Sequence, residues 1–374
     1  PFTAPAVDIL AATTTRLDVD LQPLPTGTIQ GRVSDLATGV AITATVSIPG
    51  TPAATVTDGA GYYRLQAPAG TVDLRIQPGA LGHRAAQCSA VEVRAGQVTP
   101  LDVALPTAPR ILLVDADYWR SSPELAIYQA DLSALLYPFH TWHVARIPDD
   151  SPPAAVLNRY DLVIWTQADS SPGYIGAWDG LSAYLEQGGR LLISGQDIGY
   201  WDSARGYGSD PYTRLLHARF LLDDAGPRQV FGPDGSPLAG TAVDLNTIDS
   251  AGNQYAPSEI APNDGYARPV LAYPGGGTAA LAVEDCAHRA LYLAFGLGGA
   301  GGEASRRQLL EKCISHLTSP RPAQDFDLFS AGAHATTSPG GQVTYRASVV
   351  NVGSSPAQYD LRVLGLAWPV TVLD

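Results

Sequence analysis

The sequence has no methionine, a single lysine and only three cysteines among its 374 residues. The cysteines (Cys88, Cys286 and Cys313) are too few and too widely spaced for a disulfide framework or a zinc site. Two interpretations of them stay open: three buried thiols, or a Cys286–Cys313 bridge in an exported protein. Apolar runs are short as well, since none approaches the roughly 18 residues that a membrane-spanning helix needs.

Basic residues are also scarce. The sequence carries 23 basic and 36 acidic residues, which gives a formal net charge of −13 at pH 7. Nucleic-acid binders and proteins that bind anionic membranes need a basic surface, so this balance argues against both classes. Hydrophobic residues nevertheless make up 45% of the chain, which is enough for packed cores.

The first residues lack both a starting methionine and a signal peptide, because residues 1–25 have neither a basic start nor a continuous apolar stretch. They do contain part of an internal repeat. Residues 7–21 align without a gap with residues 91–105, and a fixed offset of this kind is typical of tandem modules. We therefore expect residues 1–24 to be the closing strands of a truncated upstream repeat within a longer chain.

Residues 25–107 predict a small β-sandwich, because short alternating stretches are separated by turns rich in glycine and proline. Three motifs in this region are Gly27-x-Ile-x-Gly-x-Val33, Thr57-Asp-x-x-Gly-Tyr-Tyr63 and Leu101-Asp-Val-Ala-Leu105. They resemble the carboxypeptidase regulatory-like domain, over about residues 26–106. That resemblance implies a transthyretin-like sandwich, which serves exported proteins as a spacer or binding module.

From Arg110 onward, apolar strands alternate with amphipathic helices. Strands are predicted at residues 111–114, 142–144, 161–165, 190–194 and 290–295, and helices near residues 121, 178 and 306. This alternation predicts an α/β domain with a doubly wound, mostly parallel sheet over residues 108–318. Ligands of such sheets bind outside the carboxyl ends of the strands.

Three acidic residues follow strands at that edge. Asp197 is the centre of Gly195-x-Asp-x-Gly199, which has the frame of a nucleophile elbow. A carboxylate can be a covalent nucleophile, and His217 is the candidate base. Alternatively, Asp197 hydrogen-bonds the turn and the loops beside it. Asp115, Asp117 and Asp197 are also candidate ligands of a calcium ion, or partners of helix N-termini; no other cofactor is predicted.

Residues 110–317 resemble class I glutamine amidotransferase-like domains, in the variant embedded in large secreted bacterial peptidases. The motifs that carry the resemblance are Leu112-Leu-Val-Asp115, Tyr160-Asp-Leu-Val-Ile-Trp165, Gly188-Gly-Arg-Leu-Leu-Ile-Ser-Gly-Gln-Asp-Ile-Gly199, Leu216-His-Ala218, Asp223-Asp224 and Asn253-Gln254. The nucleophile of that family is a cysteine at the elbow, where this chain has Asp197. The resemblance therefore implies a flavodoxin-like or amidotransferase-like fold without amidotransferase activity, used as a scaffold or a binding surface.

A linker at residues 319–325 leads to residues 326–374, where the alternating pattern returns. The motifs Pro339-Gly-Gly-x-Val-Thr-Tyr345, Val349-x-Asn-x-Gly353 and Tyr359-Asp-Leu-x-Val363 resemble immunoglobulin-like repeats of exported bacterial proteins. A full sandwich of that kind takes about 100 residues, so we expect a partial domain here.

No G-x-S-x-G, H-E-x-x-H or P-loop motif is present in the sequence. The resemblances imply a non-catalytic accessory segment (a spacer, a stabiliser or a substrate-presenting region) of a large exported subtilisin-like serine endopeptidase. The alternative is a cell-surface adhesion or carbohydrate-binding array with no protease attached. In that case Tyr200, Trp201, Tyr207 and Tyr212 stack on sugars, unless they pack in the core or its rim.

Both functional interpretations place the protein outside the cell or on its surface. The expected partners are other domains of the same chain and a protein or polysaccharide substrate, with no nucleic acid and no membrane span.

Overall fold

The computed structural model describes residues 23–117, 123–167, 173–285, 287–320, 326–331 and 346–351, with isolated positions at 11, 14, 16, 337, 338, 341, 343, 353 and 355–359. The repeat copy predicted at residues 7–21 therefore lies almost entirely outside the described residues, as does most of the strand predicted at residues 359–363. The chain divides into two compact units, residues 1–79 with 85–105 and residues 80–84 with 106–374. No helix among the described residues has the length and apolar character needed to cross a bilayer.

The first unit consists of β-strands. In chain order these are β1 (Thr26–Asp35), β2 (Ala44–Ser47), β3 (Ala54–Val56), β4 (Tyr62–Pro68), β5 (Gly70–Pro78), β6 (Ala86–Val93), β7 (Val98–Pro100) and β8 (Val103–Leu105). One sheet has the order β4-β1-β7 with β8 also beside β1, and the other has the order β3-β2-β5-β6. Alternate side chains from both sheets, such as Ile29, Leu65 and Ile76, share one buried core. The unit is thus a β-sandwich.

Turns in this unit are fixed by short polar side chains. Asp58 Oδ1 accepts the backbone N–H groups of Ala60 at 2.9 Å and Tyr62 at 2.8 Å, and so closes the turn that enters β4. Asp35 Oδ1 accepts the N–H groups of Ala37 and Thr38 in the turn after β1. The positions of Asp and Gly in the sequence therefore set where these strands end.

The second unit begins with alternating strands and helices. Its elements are β9 (Ile111–Asp115), α1 (Glu124–Ala134), β10 (Phe139–His143), α2 (Ala154–Leu157), β11 (Leu162–Thr166), α3 (Trp178–Leu185), β12 (Arg190–Ser194), α4 (Ser209–Leu215), β13 (Ala218–Leu222), β14 (Gln229–Phe231), β15 (Ala242–Asp244), β16 (Glu259–Pro262), β17 (Ala267–Ala272), β18 (Thr278–Glu284), β19 (Arg289–Leu293), α5 (Glu303–Thr318), β20 (Phe326–Ala331) and β21 (Arg346–Asn351). A π-helical turn spans Gly199–Ala204, and a 3-10 turn spans Leu297–Gly299.

The central sheet is parallel on one side and antiparallel on the other. Its order is β10-β9-β11-β12-β19-β18-β17-β14-β15, and the strands from β10 to β19 run parallel. Strands β13 and β16 join through β18. Side chains of α1 and α5 pack on one face of the sheet and those of α3 and α4 on the other. The second unit therefore contains an α/β region with an antiparallel extension.

A buried ion pair joins the two helices of one face. The side chain of Asp131 in α1 is 1% exposed and receives Arg306 Nε at 2.6 Å and Arg307 Nε at 3.0 Å. Asp249 accepts the first N–H groups of α5, from Gly302 and Glu303, at 3.0 Å each. The hydrogen bond from Thr247, together with those from the backbone N–H groups of Gly302 and Glu303, lowers the pKa of Asp249 to about 2.

The C-terminal part of the second unit adds one strand pair. Strands β20 and β21 pair antiparallel, from Phe326 opposite Asn351 onward. Residues 326–374 belong to the second unit.

Cys88 is half-buried and Cys313 fully buried, and both are free thiols. Burial raises the pKa of both, that of Cys313 to about 12. Cys286 lies outside the described residues.

The sandwich depends on a close backbone contact at Gly31 in β1. A Cβ atom there would lie 1.8 Å from the carbonyl oxygen of Leu101, which is a rigid main-chain atom. We therefore expect Gly31→Ala to lower the free energy of unfolding by about 1–3 kcal/mol, measured as a lower midpoint of urea unfolding. Gly59→Ala is the matched control, because no heavy atom lies within 4 Å of its Cβ position. Equal midpoints for the two variants would contradict this account.

Candidate functional site

The turn after β12 carries the central candidate residue, Asp197, at the carboxyl edge of the parallel strands. A Cβ atom on Gly195 would lie 2.6 Å from the carbonyl oxygen of Gln167. One on Gly199 would lie 2.8 Å from the ring of Phe220. Side chains larger than that of glycine do not fit at either position. The two glycines thus allow the tight passage from strand to helix that holds Asp197 between them.

Asp197 is 6% exposed, and its carboxyl group is hydrogen-bonded to that of Asp223. Burial raises the pKa of Asp197 to about 8, with further contributions from the charge of Asp223 and the hydrogen bond between the two groups. At pH 7 Asp197 therefore holds its proton and donates it to Asp223. Its Oδ1 atom is buried and has no hydrogen-bond partner in the part of the chain that the structure describes. A neutral acid of this kind is a poor nucleophile.

Gln196, the neighbour of Asp197, ties the turn to the segment before β16. Its side-chain Nε2 donates to the carbonyl oxygen of Asn253 at 2.7 Å, and its Oε1 accepts the N–H of Ala256 at 2.9 Å. Its own carbonyl oxygen accepts the hydroxyl of Ser258 at 2.5 Å. Because these groups are engaged within the protein, the turn is held in a single position.

Glu124, the first residue of α1, also stabilises the carboxyl edge of the sheet through buried hydrogen bonds. The sequence patterns did not predict this role. Glu124 is 1% exposed and accepts Asn253 Nδ2 at 3.1 Å and the N–H of Gly298 at 3.3 Å. Burial raises its pKa. Beside it, Gln254 Oε1 accepts the N–H of Gly296 at 2.6 Å. In the sequence, Glu124 is marked only as an acidic residue in the first turn of a helix.

The acidic residues predicted as metal ligands lie on two separate loops. Asp115 accepts the N–H of Asp117 at 3.3 Å and lies 3.2 Å from His143 Nδ1. Asp197 follows β12, two strands away from β9, which is about 10 Å at the usual strand spacing. Within the part of the chain that the structure describes, no group of three or more His, Cys, Asp or Glu side chains is arranged to hold a metal ion. Asp115 and Asp117 come together, and Asp197 does not join them.

His217 lies at the other edge of the sheet. It contacts Asp285 and precedes β13, while Asp285 precedes β19. Strands β12 and β19 are parallel and in register over five residue pairs, so their amino ends share one edge. Asp197 follows the carboxyl end of β12, on the order of 15 Å away at about 3.3 Å per residue. The structure therefore does not bring Asp197 and its candidate base together.

His217 is instead the centre of an ionic junction among three loops. Its Nδ1 lies 2.8 Å from Asp264 Oδ2, and its Nε2 lies 3.6 Å from Asp285 Oδ2. Asp285 Oδ1 in turn lies 3.2 Å from His288 Nδ1, and the ring of Tyr266 packs beside His217. Burial disfavours the charged ring of His217, but the two carboxylates outweigh burial and raise its pKa.

Aromatic side chains near the turn form a continuous row, which we call the aromatic ridge: Tyr174, Tyr207, Trp201 and Tyr200. Ring centroids are 4.9 Å apart for Tyr174 and Tyr207, 5.4 Å for Tyr207 and Trp201, and 5.7 Å for Trp201 and Tyr200. Tyr207 is 57% exposed and the other three are half-buried. The fourth aromatic of the predicted sugar-stacking set, Tyr212, is fully buried, so its assignment to an exposed set was wrong.

The carboxyl edge offers hydrogen-bonding groups rather than a nucleophile and a base. Gln167 is fully buried, and neither atom of its side-chain amide has a hydrogen-bond partner among the described residues. The hydroxyl at the end of β12, that of Ser194, bonds to the hydroxyl of Tyr128 at 2.7 Å instead of to a histidine. This chemistry suits the binding of a polar ligand better than covalent catalysis.

The raised pKa of Asp197 predicts a specific pH dependence. The folded state holds the proton more tightly than the unfolded state, so the contribution of Asp197 to stability falls as the pH rises from about 4 to about 8. The full slope for one such group is about 1.4 kcal/mol per pH unit. Asp197→Asn removes this titration, and its melting temperature should gain on that of the wild type across this window.

The control for Asp197→Asn is Asp234→Asn, which changes an exposed carboxylate in the turn after β14. Its melting temperature should follow that of the wild type at every pH. Parallel curves for Asp197→Asn and the wild type would show that Asp197 is not a protonated acid in the folded protein.

The raised pKa of His217 predicts that its contacts with Asp264 and Asp285 stabilise the fold while the ring is protonated. Because its folded pKa is raised, the junction stabilises the protein fully below about pH 6.5 and loses this effect as the pH rises through the folded pKa. His217 has φ 46°, a conformation that Asn tolerates, so His217→Asn keeps the backbone. The loss of unfolding free energy in this variant should be larger at pH 5.5 than at pH 9. An equal loss at both values would contradict an ionic role.

Comparisons with known proteins agree with part of this picture. No curated protein matches the chain. A ThuA-like protein from Bacteroides uniformis is 14% identical and aligns with 56% of this chain and 91% of its own, with a TM-score of 0.37. A GMP synthase protein from Thermoplasma acidophilum is 11% identical, over 55% of this chain and 94% of its own, with a TM-score of 0.36.

A type II cohesin–X-dockerin complex from Acetivibrio cellulolyticus is 21% identical over 22% of this chain, with a TM-score of 0.19, and the match spans 56% of that chain. The family model of the carboxypeptidase regulatory-like domain matches residues 28–106, which is the β-sandwich of the first unit with its closing strands. The chain therefore contains a carboxypeptidase regulatory-like domain followed by an α/β region.

Proposed function

We propose that this chain is a non-catalytic accessory segment of a large exported subtilisin-like serine protease. The observation that carries the proposal is the state of Asp197. It occupies the position of the nucleophile in the amidotransferase-like pattern, yet it is buried, protonated at neutral pH and bonded to Asp223. With His217 at the opposite edge of the sheet, the turn has lost the pairing of nucleophile and base that acyl transfer requires.

The α/β region is, in this proposal, an amidotransferase-like domain that has kept its scaffold and lost its chemistry. The hydrogen bonds of Gln196 and Glu124 support a structural role, because they close the carboxyl edge with groups from distant parts of the chain. The buried pair of Asp131 and Arg306 ties α1 to α5 on one face. Such a body suits a rigid spacer or a platform that presents substrate to a catalytic domain elsewhere in the parent chain.

The flanking regions fit the same role. We infer a transthyretin-like fold for the sandwich and a partial immunoglobulin-like domain for residues 326–374, modules that serve as spacers in exported proteins. The low content of basic residues agrees with a protein that does not bind nucleic acid. Other domains of the parent chain and a protein or polysaccharide substrate are the partners that this role requires.

A second candidate function is a cell-surface adhesion or carbohydrate-binding array with no protease attached. The aromatic ridge favours it, because Tyr207 exposes more than half of its surface beside Trp201. A spacer with no ligand has no need of exposed aromatic rings.

Casein hydrolysis tests the accessory role. The 374-residue chain alone should release no peptides from casein, whereas the secreted product of the whole gene should do so and should lose this activity with a serine-protease inhibitor. The upstream gene sequence should then encode an Asp, a His and a Ser in subtilisin-type motifs. Hydrolysis by neither protein would favour the carbohydrate-binding array, and hydrolysis by the chain alone would contradict both functions.

A further inference from the structure

The aromatic ridge and the paired acids belong to one continuous surface. The carbonyl oxygen of Asp197 accepts the N–H of Trp201 at 3.0 Å, so the acid and the ridge share the same turn. At the far end, the ring of Tyr200 lies 6.2 Å from that of Phe220 in β13, and Asp223 follows three residues later. The turn that carries Asp197 therefore also carries Tyr200 and Trp201, and the strand that Tyr200 contacts leads to Asp223.

The ridge is held in place by a buried carboxyl group, Asp202. Its oxygens accept the N–H of Ile175 at 2.9 Å and the indole N–H of Trp178 at 2.8 Å, and burial raises its pKa to about 6. Ile175 is the neighbour of Tyr174. Gly208, the neighbour of Tyr207, packs so closely that a Cβ atom on it would lie 2.3 Å from Asp202. Both stacked tyrosines are thus positioned by the same anchor before any ligand arrives.

Beside the ridge is a shallow depression with a volume of about 430 Å³. Its lining residues are Ala204, Arg205, Gly206 and Tyr207. The face that a ligand meets here combines the exposed ring of Tyr207 with two small residues, backbone polar groups and the exposed side chain of Arg205, which can donate hydrogen bonds to hydroxyl groups. Flat apolar faces with polar edges are the shape that such a surface accepts.

The Asp197–Asp223 pair indicates which polar groups the ligand carries. A protonated carboxyl group beside an ionised one offers both a donor and acceptors, as a hydroxyl group requires. Asp223 is the exposed member of the pair, so it is the carboxyl group that a ligand can reach. The net charge of −13 disfavours a polyanion. A ligand with apolar faces and many neutral hydroxyl groups meets all of these conditions.

We propose that the aromatic ridge and the Asp197–Asp223 pair form one binding site for a neutral saccharide chain. Sugar rings stack on Tyr207 and Trp201, and a sugar hydroxyl bonds to Asp223. An apolar peptide or a lipid would remove the exposed carboxylate of Asp223 from water without donating a hydrogen bond to it, which favours the saccharide. The inference holds whether or not the parent chain carries a protease.

Affinity electrophoresis of the 374-residue protein tests the site, with mixed-linkage β-glucan, xylan or galactomannan in the gel. At least one of these polysaccharides should retard the wild type, and Tyr207→Ala should weaken binding about tenfold or more, a size typical of one lost stacking contact. Tyr62→Ala is the matched control, because Tyr62 is 58% exposed and lies in the first unit, outside the ridge. Its retardation should equal that of the wild type. Melting temperatures would show that both variants are folded.

A second variant tests the polar end of the site. Asp223→Asn should also weaken the retardation without changing the melting curve at neutral pH by more than a few degrees, and added salt should have little effect on the wild type. The proposal is overturned if no polysaccharide retards the wild type, if Tyr207→Ala and Tyr62→Ala bind alike, or if binding is lost in salt. Binding of neutral lipid vesicles in place of the polysaccharides would overturn it as well.

Discussion

The buried hydrogen bonds around Gln196 and Asn253 are the interaction on which the second unit depends. They connect the turn after β12, the segment before β16 and, through Glu124, the start of α1 and the glycine turn after β19. These segments are far apart in sequence, and each brings polar groups that cannot reach water at this depth. A network of this kind stabilises a single arrangement when its members are paired, because an unpaired member costs the full desolvation of its polar group. Among the residues that the structure describes, these contacts within the chain hold the turn after β12 in place at the carboxyl edge.

The buried titratable groups at the two edges of the parallel sheet are in opposite charge states: Asp197 is neutral and His217 is charged. At the carboxyl edge, Asp197 keeps its proton and stays neutral beside Asp223. At the amino edge, His217 gains a proton between Asp264 and Asp285, and the histidine contacts lower the pKa of Asp285 despite its burial. Desolvation acts on both groups, but among the described residues Asp197 lies beside another carboxyl group, whereas His217 lies between two carboxylates of opposite charge. The difference in partners, and not in depth, decides which group is ionised.

The proposed functions rest on the difference between the buried acid Asp197 and the accessible aromatic side chains beside it. The turn after β12 has retained the glycines that expose a central side chain in catalytic elbows, while the side chain itself is buried and neutral. What remains accessible beside it is aromatic: Tyr207 and its neighbours, positioned by the buried carboxyl of Asp202. Both proposed functions, an accessory segment and a saccharide-binding one, use this surface to bind a ligand and not to react with it.

The sequence by itself determined the order of elements, because alternation with period two and buried apolar runs are local patterns. The strand at residues 190–194 was predicted with the bounds of β12, and the sandwich strands followed from turn residues such as Asp58. Helix starts were less accurate, and α5 begins at Glu303 rather than near Arg306, because Asp249 caps it from another loop. Only the tertiary structure decided which polar side chains meet. The separation of Asp197 from His217 follows from strand direction, the burial of Glu124 and Tyr212 from packing, and the partnership of Asp197 with Asp223 from the path of β13. These are long-range contacts, and no local pattern of residues encodes them.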